Sequence, residues 1–125
     1  MSHSDVVLWD DADAEEFDSG ANIRDKADLI KTAFLIGKIT FRKGDFGPYV
    51  TVTAVDRMNS EFVFNDGSTG IYRQLVNWCH ERKLLDAKVT NPDSQEYDVR
   101  IKCLKGLRVS SYESPNGPAK TYYLA

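Results

Sequence analysis

The order of hydrophobic periods along the chain is the feature that most restricts its fold. Before residue 67, apolar residues recur at every second position in three segments, which is the period of a half-buried β-strand. Between residues 71 and 83 the period becomes that of an amphipathic helix, and from residue 97 it returns to two. Three strands, one helix and two or three further strands therefore predict a mainly β domain with a single helix.

The first strand contains a change of phase. Phe34 and Ile36 follow one alternation. Ile39 and Phe41 follow the opposite one, and Gly37 lies between the two pairs. A glycine at such a position predicts a β-bulge, where a strand bends sharply. A bent first strand favours closure, so we expect a five-stranded OB-fold barrel with the helix between strands three and four. An open α+β roll is the alternative.

The remaining elements follow from the same periodicities. The other predicted strands cover residues 49–56, 61–65, 97–104, 107–112 and 120–124, and the helix covers residues 71–83. In the second strand, Val50 and Val52 are expected to face the core, while Tyr49 and Thr51 face outward. The last two strands form a predicted hairpin.

Charge divides the chain into two parts. Residues 1–22 contain seven acidic residues and no Lys or Arg, whereas residues 23–125 hold all 16 basic residues and a net charge of +4. Residues 1–22 are therefore predicted to be a disordered acidic tail, and residues 23–125 a nucleic-acid-binding domain. The tail, with the rings of Trp9 and Phe17, either keeps the protein in solution or docks on a basic surface. That surface belongs to this chain or to a partner, such as a replication or recombination protein.

Other classes of function have little support in the sequence. No run of 18 apolar residues and no secretory signal are present, so we expect a cytoplasmic protein with no membrane partner. Two cysteines are too few for a disulfide framework. Cys79 and His80 are adjacent on the predicted helix and point in different directions, and no histidine has metal-ligand spacing. We therefore expect no catalytic residues, no cofactor and no metal.

Aromatic and basic residues alternate on the predicted outward faces. Tyr49 and Thr51 point outward from the second strand, and Phe46 lies at a loop tip close to Arg42 and Lys43. Nucleobases stack on exposed rings while cations follow the phosphates. In the final hairpin, Arg108 and Tyr112 share one face of the first strand. Lys120 and Tyr122 share one face of the second strand. The predicted nucleic-acid-binding residues are Arg42, Lys43, Phe46, Tyr49, Thr51, Arg108, Tyr112, Lys120 and Tyr122.

Four segments, GDFGPYVTVTAV, FVFNDGSTGIYRQL, GLRVS and PAKTYYL, resemble small single-stranded DNA-binding proteins of tailed phages, especially those that infect actinobacteria. The resemblance covers residues 25–124. It implies an OB-fold that protects single-stranded DNA in phage replication or recombination, in the host cytoplasm, with the DNA on the face of Tyr49, Tyr112 and Tyr122. Many bacterial-type relatives carry their acidic tail at the C-terminus, whereas this chain has it at the front.

Two functions therefore remain open. One is binding of single-stranded DNA largely without sequence specificity. The other is an OB-like protein-interaction or virion-associated domain that acts through the acidic tail. The sequence leaves the oligomeric state open, including a homo-oligomer.

Overall fold

The computed structural model describes residues 22–67 and 70–125. The elements in chain order are β1 (Asn22–Ile23), a 3-10 turn (Lys26–Leu29), β2 (Phe34–Gly44), β3 (Gly47–Asp56), β4 (Glu61–Gly67), α1 (Ile71–Glu81), β5 (Gln95–Cys103), β6 (Leu107–Ser114) and β7 (Gly117–Leu124). The described part is mainly β with one α-helix, as the hydrophobic periods predict. Apart from Asn22, the predicted tail lies outside the described residues.

Five strands form one sheet in the order β1–β4–β3–β2–β5. β1 runs parallel to β4, and all other neighbours are antiparallel. Successive residues of a strand point to opposite sides, so every second residue of β3 faces the core. Val50, Val52 and Ala54 are fully buried there, which confirms the predicted phase of this strand.

The predicted bulge in β2 is confirmed. The register of β2 shifts between Ile36 and Lys38 in its pairing with β3, and again in its pairing with β5. Against β3 the extra residue is Gly37, whereas against β5, where Ile36 pairs with Ile101 and Lys38 with Asp98, the extra residue lies on β5. Because the phase changes there, Ile36 and Ile39 are both fully buried in the same core.

The helix lies over the buried face of the sheet. Five of its side chains are buried, namely Ile71, Tyr72, Leu75, Val76 and Cys79. The N-cap residue of the helix is Gly70, which has no side chain that could accept a hydrogen bond from the first turn. Instead the Oδ2 atom of Asp66 accepts a hydrogen bond of 2.9 Å from the backbone N–H of Tyr72. A residue of β4 therefore supplies a partner for the first turn of the helix. Among the described residues, no helix has the length and apolar character needed to cross a bilayer.

β6 and β7 form a separate two-stranded sheet. In the described part of the chain, the main sheet is not closed by these strands, and seven strands are present rather than the predicted five. Gly106, with a φ of 66°, lies where the chain leaves β5 and enters β6. β6 then begins beside Ile30, and the N–H of Lys31 donates to the carbonyl of Leu107 at 3.2 Å.

The end of β7 is fastened to the helix. The side-chain amide of Gln74 donates to the carbonyl of Leu124 at 3.1 Å and accepts from its N–H at 2.7 Å. Gly70 lies against the same strand, because a Cβ placed there would be 2.1 Å from the carbonyl oxygen of Tyr122. These contacts hold the base of the hairpin, whereas its turn residues Pro115 and Asn116 are exposed.

Candidate nucleic-acid interface

The turn between β2 and β3 presents an aromatic ring to solvent. Gly44 pairs with Gly47, and Asp45 and Phe46 form the turn between them. Gly47 has a φ of 116°, a conformation that side-chain-bearing residues rarely adopt. The Phe46 side chain is fully exposed, at 106% relative accessibility. A phenylalanine held there contributes nothing to the core.

Tyr49 lies in the first paired rows behind this turn. It pairs with Arg42 on β2 and with Gly67 on β4. A Cβ on Gly44 would lie 3.1 Å from Cε1 of Tyr49, so the ring lies against the bare backbone of that glycine. A Cβ on Gly67 would have no neighbour within 4 Å. The two glycines therefore leave an open cleft beside the ring. It is lined by Gly44, Asp45, Phe46, Gly47, Pro48, Tyr49 and Gly67.

A polar row crosses the same face of the sheet one step further along. Its members, in the order β5, β2, β3 and β4, are Glu96, Thr40, Thr51 and Asn65. Thr51 Oγ1 donates to Asn65 Oδ1 at 2.7 Å, so the predicted site residue Thr51 already uses its hydroxyl proton. At the β5 end, Thr40 Oγ1 donates to Glu96 Oε1 at 3.2 Å. The row is thus acidic at β5 and neutral at β4.

Arg42 and Lys43 lie on opposite sides of the β2–β3 hairpin. Both side chains are exposed. Arg42 shares its row and its face with Tyr49, whereas Lys43 pairs with Pro48 in the next row, which faces the other way. Of these two cations, Arg42 alone shares a face with the Tyr49 ring.

One face of the β6–β7 hairpin carries two tyrosines and an arginine. Arg108 pairs with Tyr123, and its guanidinium carbon lies 4.3 Å from the centre of that ring. Tyr112 is 52% exposed and pairs with Ala119, which leaves its ring uncovered. Tyr123 was not among the predicted residues. The adjacency of Tyr122 and Tyr123 shows that one of them lies on this face, but the pairing register is needed to say which.

Lys120 and Tyr122 lie on the opposite face of that hairpin, which corrects the prediction of one continuous surface. Tyr122 pairs with Val109 and packs against the hydrophobic core. Nζ of Lys26 lies 5.1 Å from the centre of the Tyr122 ring and 2.9 Å from Oδ1 of Asp66. The Tyr122 ring therefore lies on the core side of the hairpin, away from the face that carries Tyr112 and Tyr123.

Burial and hydrogen bonds involve the nucleophilic and titratable side chains in and beside the core. Burial raises the pKa of the Cys79 thiol to about 11 and that of Cys103 to about 12. Burial also raises the pKa of Asp66, against the opposing effect of its hydrogen bond from Lys26. His80 Nε2 lies 2.7 Å from the carbonyl oxygen of Val89. Within residues 22–67 and 70–125, no group of three or more His, Cys, Asp or Glu residues has the arrangement of a metal site.

A comparison of the chain with protein-family models, with curated proteins and with solved structures gives no match. The features that bear on function are therefore those of the molecule itself: an exposed ring at a glycine-flanked turn, an open cleft beside a second ring, and cations around both.

Proposed function

We propose that the protein binds single-stranded DNA, largely without sequence specificity, and that it does so in phage DNA replication or recombination. The observation that carries the proposal is the fully exposed Phe46 at the β2–β3 turn, beside the open cleft of Tyr49. An aromatic ring in water on a short, well-defined turn is a suitable platform for a nucleobase, because every base has a flat π-face.

Stacking supplies the first part of the binding energy. Since Gly67 and Gly44 leave the surroundings of Tyr49 free of side chains, a base can approach that ring without displacing any. Phe46 accepts a neighbouring base of the same strand. Each such contact contributes about 1–3 kcal/mol and tolerates any base, which accounts for binding without sequence specificity.

Phosphate contacts supply the second part. Arg42 lies in the row of Tyr49, and Lys43 lies behind the same turn. The carboxylates of Glu96 and Asp98 on β5 disfavour a path for the strand across that edge of the sheet. A polyanion therefore follows the β2–β3 turn and continues toward the cations of the β6–β7 hairpin.

The topology is consistent with an OB-type domain, which we include in the proposal. β2, β3 and β4 form a meander, α1 follows, and β5 returns beside β2. This is the arrangement of the first four strands and the helix of an OB barrel, and the β6–β7 hairpin supplies the rest in a separate sheet. The loops that border the binding face of such a domain correspond to the β2–β3 and β6–β7 turns. The resemblance to phage single-stranded DNA-binding proteins favours the same function.

A titration with labelled oligonucleotides tests the proposal. Fluorescence anisotropy is followed with single-stranded DNA, single-stranded RNA and duplex DNA of equal length at low salt. We expect saturable binding to single strands, weaker by about 1–3 kcal/mol in Phe46→Ala. Met58→Ala is the matched control, because Met58 is also a strongly exposed apolar side chain on a β-turn of the same sheet.

Three results would contradict the proposal: no saturable binding to single strands, tighter binding to duplex, or equal losses in Phe46→Ala and Met58→Ala. The first of these would favour the protein-interaction function.

A further inference from the structure

A second depression lies at the base of the β6–β7 hairpin, away from the Tyr49 cleft. Its apolar lining comes from Ile30, Leu107 and Val109, and its basic side chains are Lys31, Lys105 and Arg108. The main chain of Ala125 lines it as well and donates a hydrogen bond to the carbonyl of Gly106. We call this feature the hairpin-base groove.

The cations of the hairpin-base groove are free to bind an anion. Within the described part of the chain, Lys31, Lys105 and Arg108 form no ion pair with a carboxylate, whereas other basic residues, such as Arg24, Lys26 and Lys38, do. Lys31 and Lys105 are exposed, and Arg108 lies over Tyr123. Three positive charges beside an apolar surface fit a ligand that is both acidic and aromatic.

The groove continues into an open strand edge. In the described residues, the strand that pairs with β6 is β7. The other edge of β6 has a hydrogen bond at Leu107, whose carbonyl accepts from the N–H of Lys31. The main-chain groups of Leu107 therefore point away from β7. Because these groups alternate along an antiparallel strand, those of Val109 and Ser111 point the same way. An extended peptide can add to this edge while its side chains enter the groove.

We propose that the occupant of the hairpin-base groove is the chain's own segment 9–18, WDDADAEEFD, with the Trp9 ring on the apolar lining. This segment lies outside the described residues. It has six acidic residues, no basic residue and two aromatic residues, Trp9 at its start and Phe17 near its end. Its carboxylates then face Lys31, Lys105 and Arg108. The inference goes beyond DNA binding and does not depend on it.

The length of chain permits this docking and selects Trp9 over Phe17. Eight residues separate Asn22 from Ile30, so the groove lies at most about 29 Å from the start of β1. The 13 residues from Trp9 to Asn22 span up to about 45 Å, whereas the five from Phe17 span up to about 18 Å. Trp9 therefore reaches the groove at any separation the chain allows.

Tryptophan fluorescence tests the proposal in the absence of nucleic acid. In a Trp78→Phe background of the full chain, Trp9 is the one remaining tryptophan. Quenching by acrylamide is measured, since a neutral quencher is not affected by changes of protein charge. The test variant is Lys31→Glu with Lys105→Glu. The control is Lys83→Glu with Lys88→Glu, which makes the same charge change at exposed sites, and in which Lys83 has the same φ of 60° as Lys31.

A tethered segment has an effective concentration of about 1 mM, so docking with a dissociation constant of about 1 mM halves the exposure of the ring. We expect the quenching constant of Trp9 to be about twofold lower in the background and in the control than in the test variant and in a free peptide of residues 1–22. Circular dichroism verifies that each variant is folded.

Equal quenching constants in the background, the test variant and the free peptide would overturn the proposal. Equal increases in the test variant and the control would also overturn it, because they would reflect general attraction rather than the groove. Protection that rises with protein concentration would replace the chain's own segment by that of a second copy, and so overturn the intramolecular docking.

Discussion

At the residue scale, the cleft beside Tyr49 is open because Gly44 and Gly67 have no side chains. Alternation along the second strand already predicts that Tyr49 points outward, and a glycine-rich turn already predicts an exposed Phe46. The contribution of Gly67 to the cleft could not be predicted, because its position across from Tyr49 depends on the register between β3 and β4. Hydrophobic periods give the face of a residue, whereas the cross-strand partner is determined by the turn at residues 57–60.

Replacing Gly67 by valine should close the cleft without harming the fold. Its backbone is not in the left-handed region, and an added Cβ meets nothing within 4 Å. A β-branched residue is well suited to a strand, so urea denaturation should show an unchanged or higher free energy of unfolding. Oligonucleotide affinity, measured by anisotropy, should fall by about 1–3 kcal/mol because the Tyr49 ring is covered. Unchanged affinity would place the bases elsewhere.

The two buried thiols should react slowly in the folded protein. Burial raises the pKa of Cys79 from 9.0 to about 11, so the thiolate forms only as the pH rises toward that value. At pH 8 the thiolate fraction is about a hundredfold below that of an ordinary cysteine, and Cys103 is lower still. Alkylation by iodoacetamide, followed by mass spectrometry, should become fast only in denaturant. Rapid labelling of the folded protein at pH 8 would show that these thiols are accessible.

At the element scale, the β6–β7 hairpin is where sequence reasoning stops short. Its existence and its strand alternation follow from the sequence, and Tyr112 is exposed as predicted. The pairing register between its two strands does not follow from the sequence. The turn closes at Ser114 and Gly117, which places Arg108 across from Tyr123 rather than on the side of Tyr122. A turn one residue longer would exchange the two tyrosines.

Gly106 should be indispensable to the attachment of this hairpin. Its φ of 66° costs a side-chain-bearing residue about 1–2 kcal/mol, and a Cβ would lie 2.3 Å from the carbonyl oxygen of Thr32. Gly106→Ala should therefore lower the free energy of unfolding by more than that strain alone, as measured with urea. Gly117→Ala is the control, because Gly117 also has a positive φ, of 109°, but nothing within 4 Å. Equal losses in both variants would contradict the packing role of Gly106.

At the scale of the whole molecule, the order of elements was predictable and the closure of the sheet was not. The bend at Gly37 is visible in the sequence because it reverses the hydrophobic phase. The departure of β6 from β5 leaves no such mark, since β6 keeps an ordinary alternation while it pairs with a different neighbour. Hydrogen-bond partners of strands are set by tertiary contacts, here those of Gly106 with the 3-10 turn.

The distribution of charge predicts the response of binding to salt. Arg42, Lys43 and Arg108 are exposed cations near the proposed path of the strand, so we expect about three phosphate contacts. The logarithm of the affinity should fall linearly with the logarithm of salt concentration, with a slope of about −0.7 per phosphate on single strands. Arg42→Ala should reduce the slope by about 0.7, whereas Lys88→Glu should leave it unchanged. A flat salt response would remove the phosphate contacts from the proposal.

The clamp between Gln74 and Leu124 has a consequence for synthesis. Its two halves are 50 residues apart, so a ribosome that has just completed the helix must translate β5, β6 and nearly all of β7 before the Gln74 amide meets its partner. Gly70, at the start of the helix, packs against the same strand, which is translated after it. Until β7 has been synthesised, the helix therefore lacks this attachment. A chain that stops before Leu124 lacks both hydrogen bonds to Gln74, and with the base of its hairpin unattached it is a substrate for the quality-control proteases of the cell.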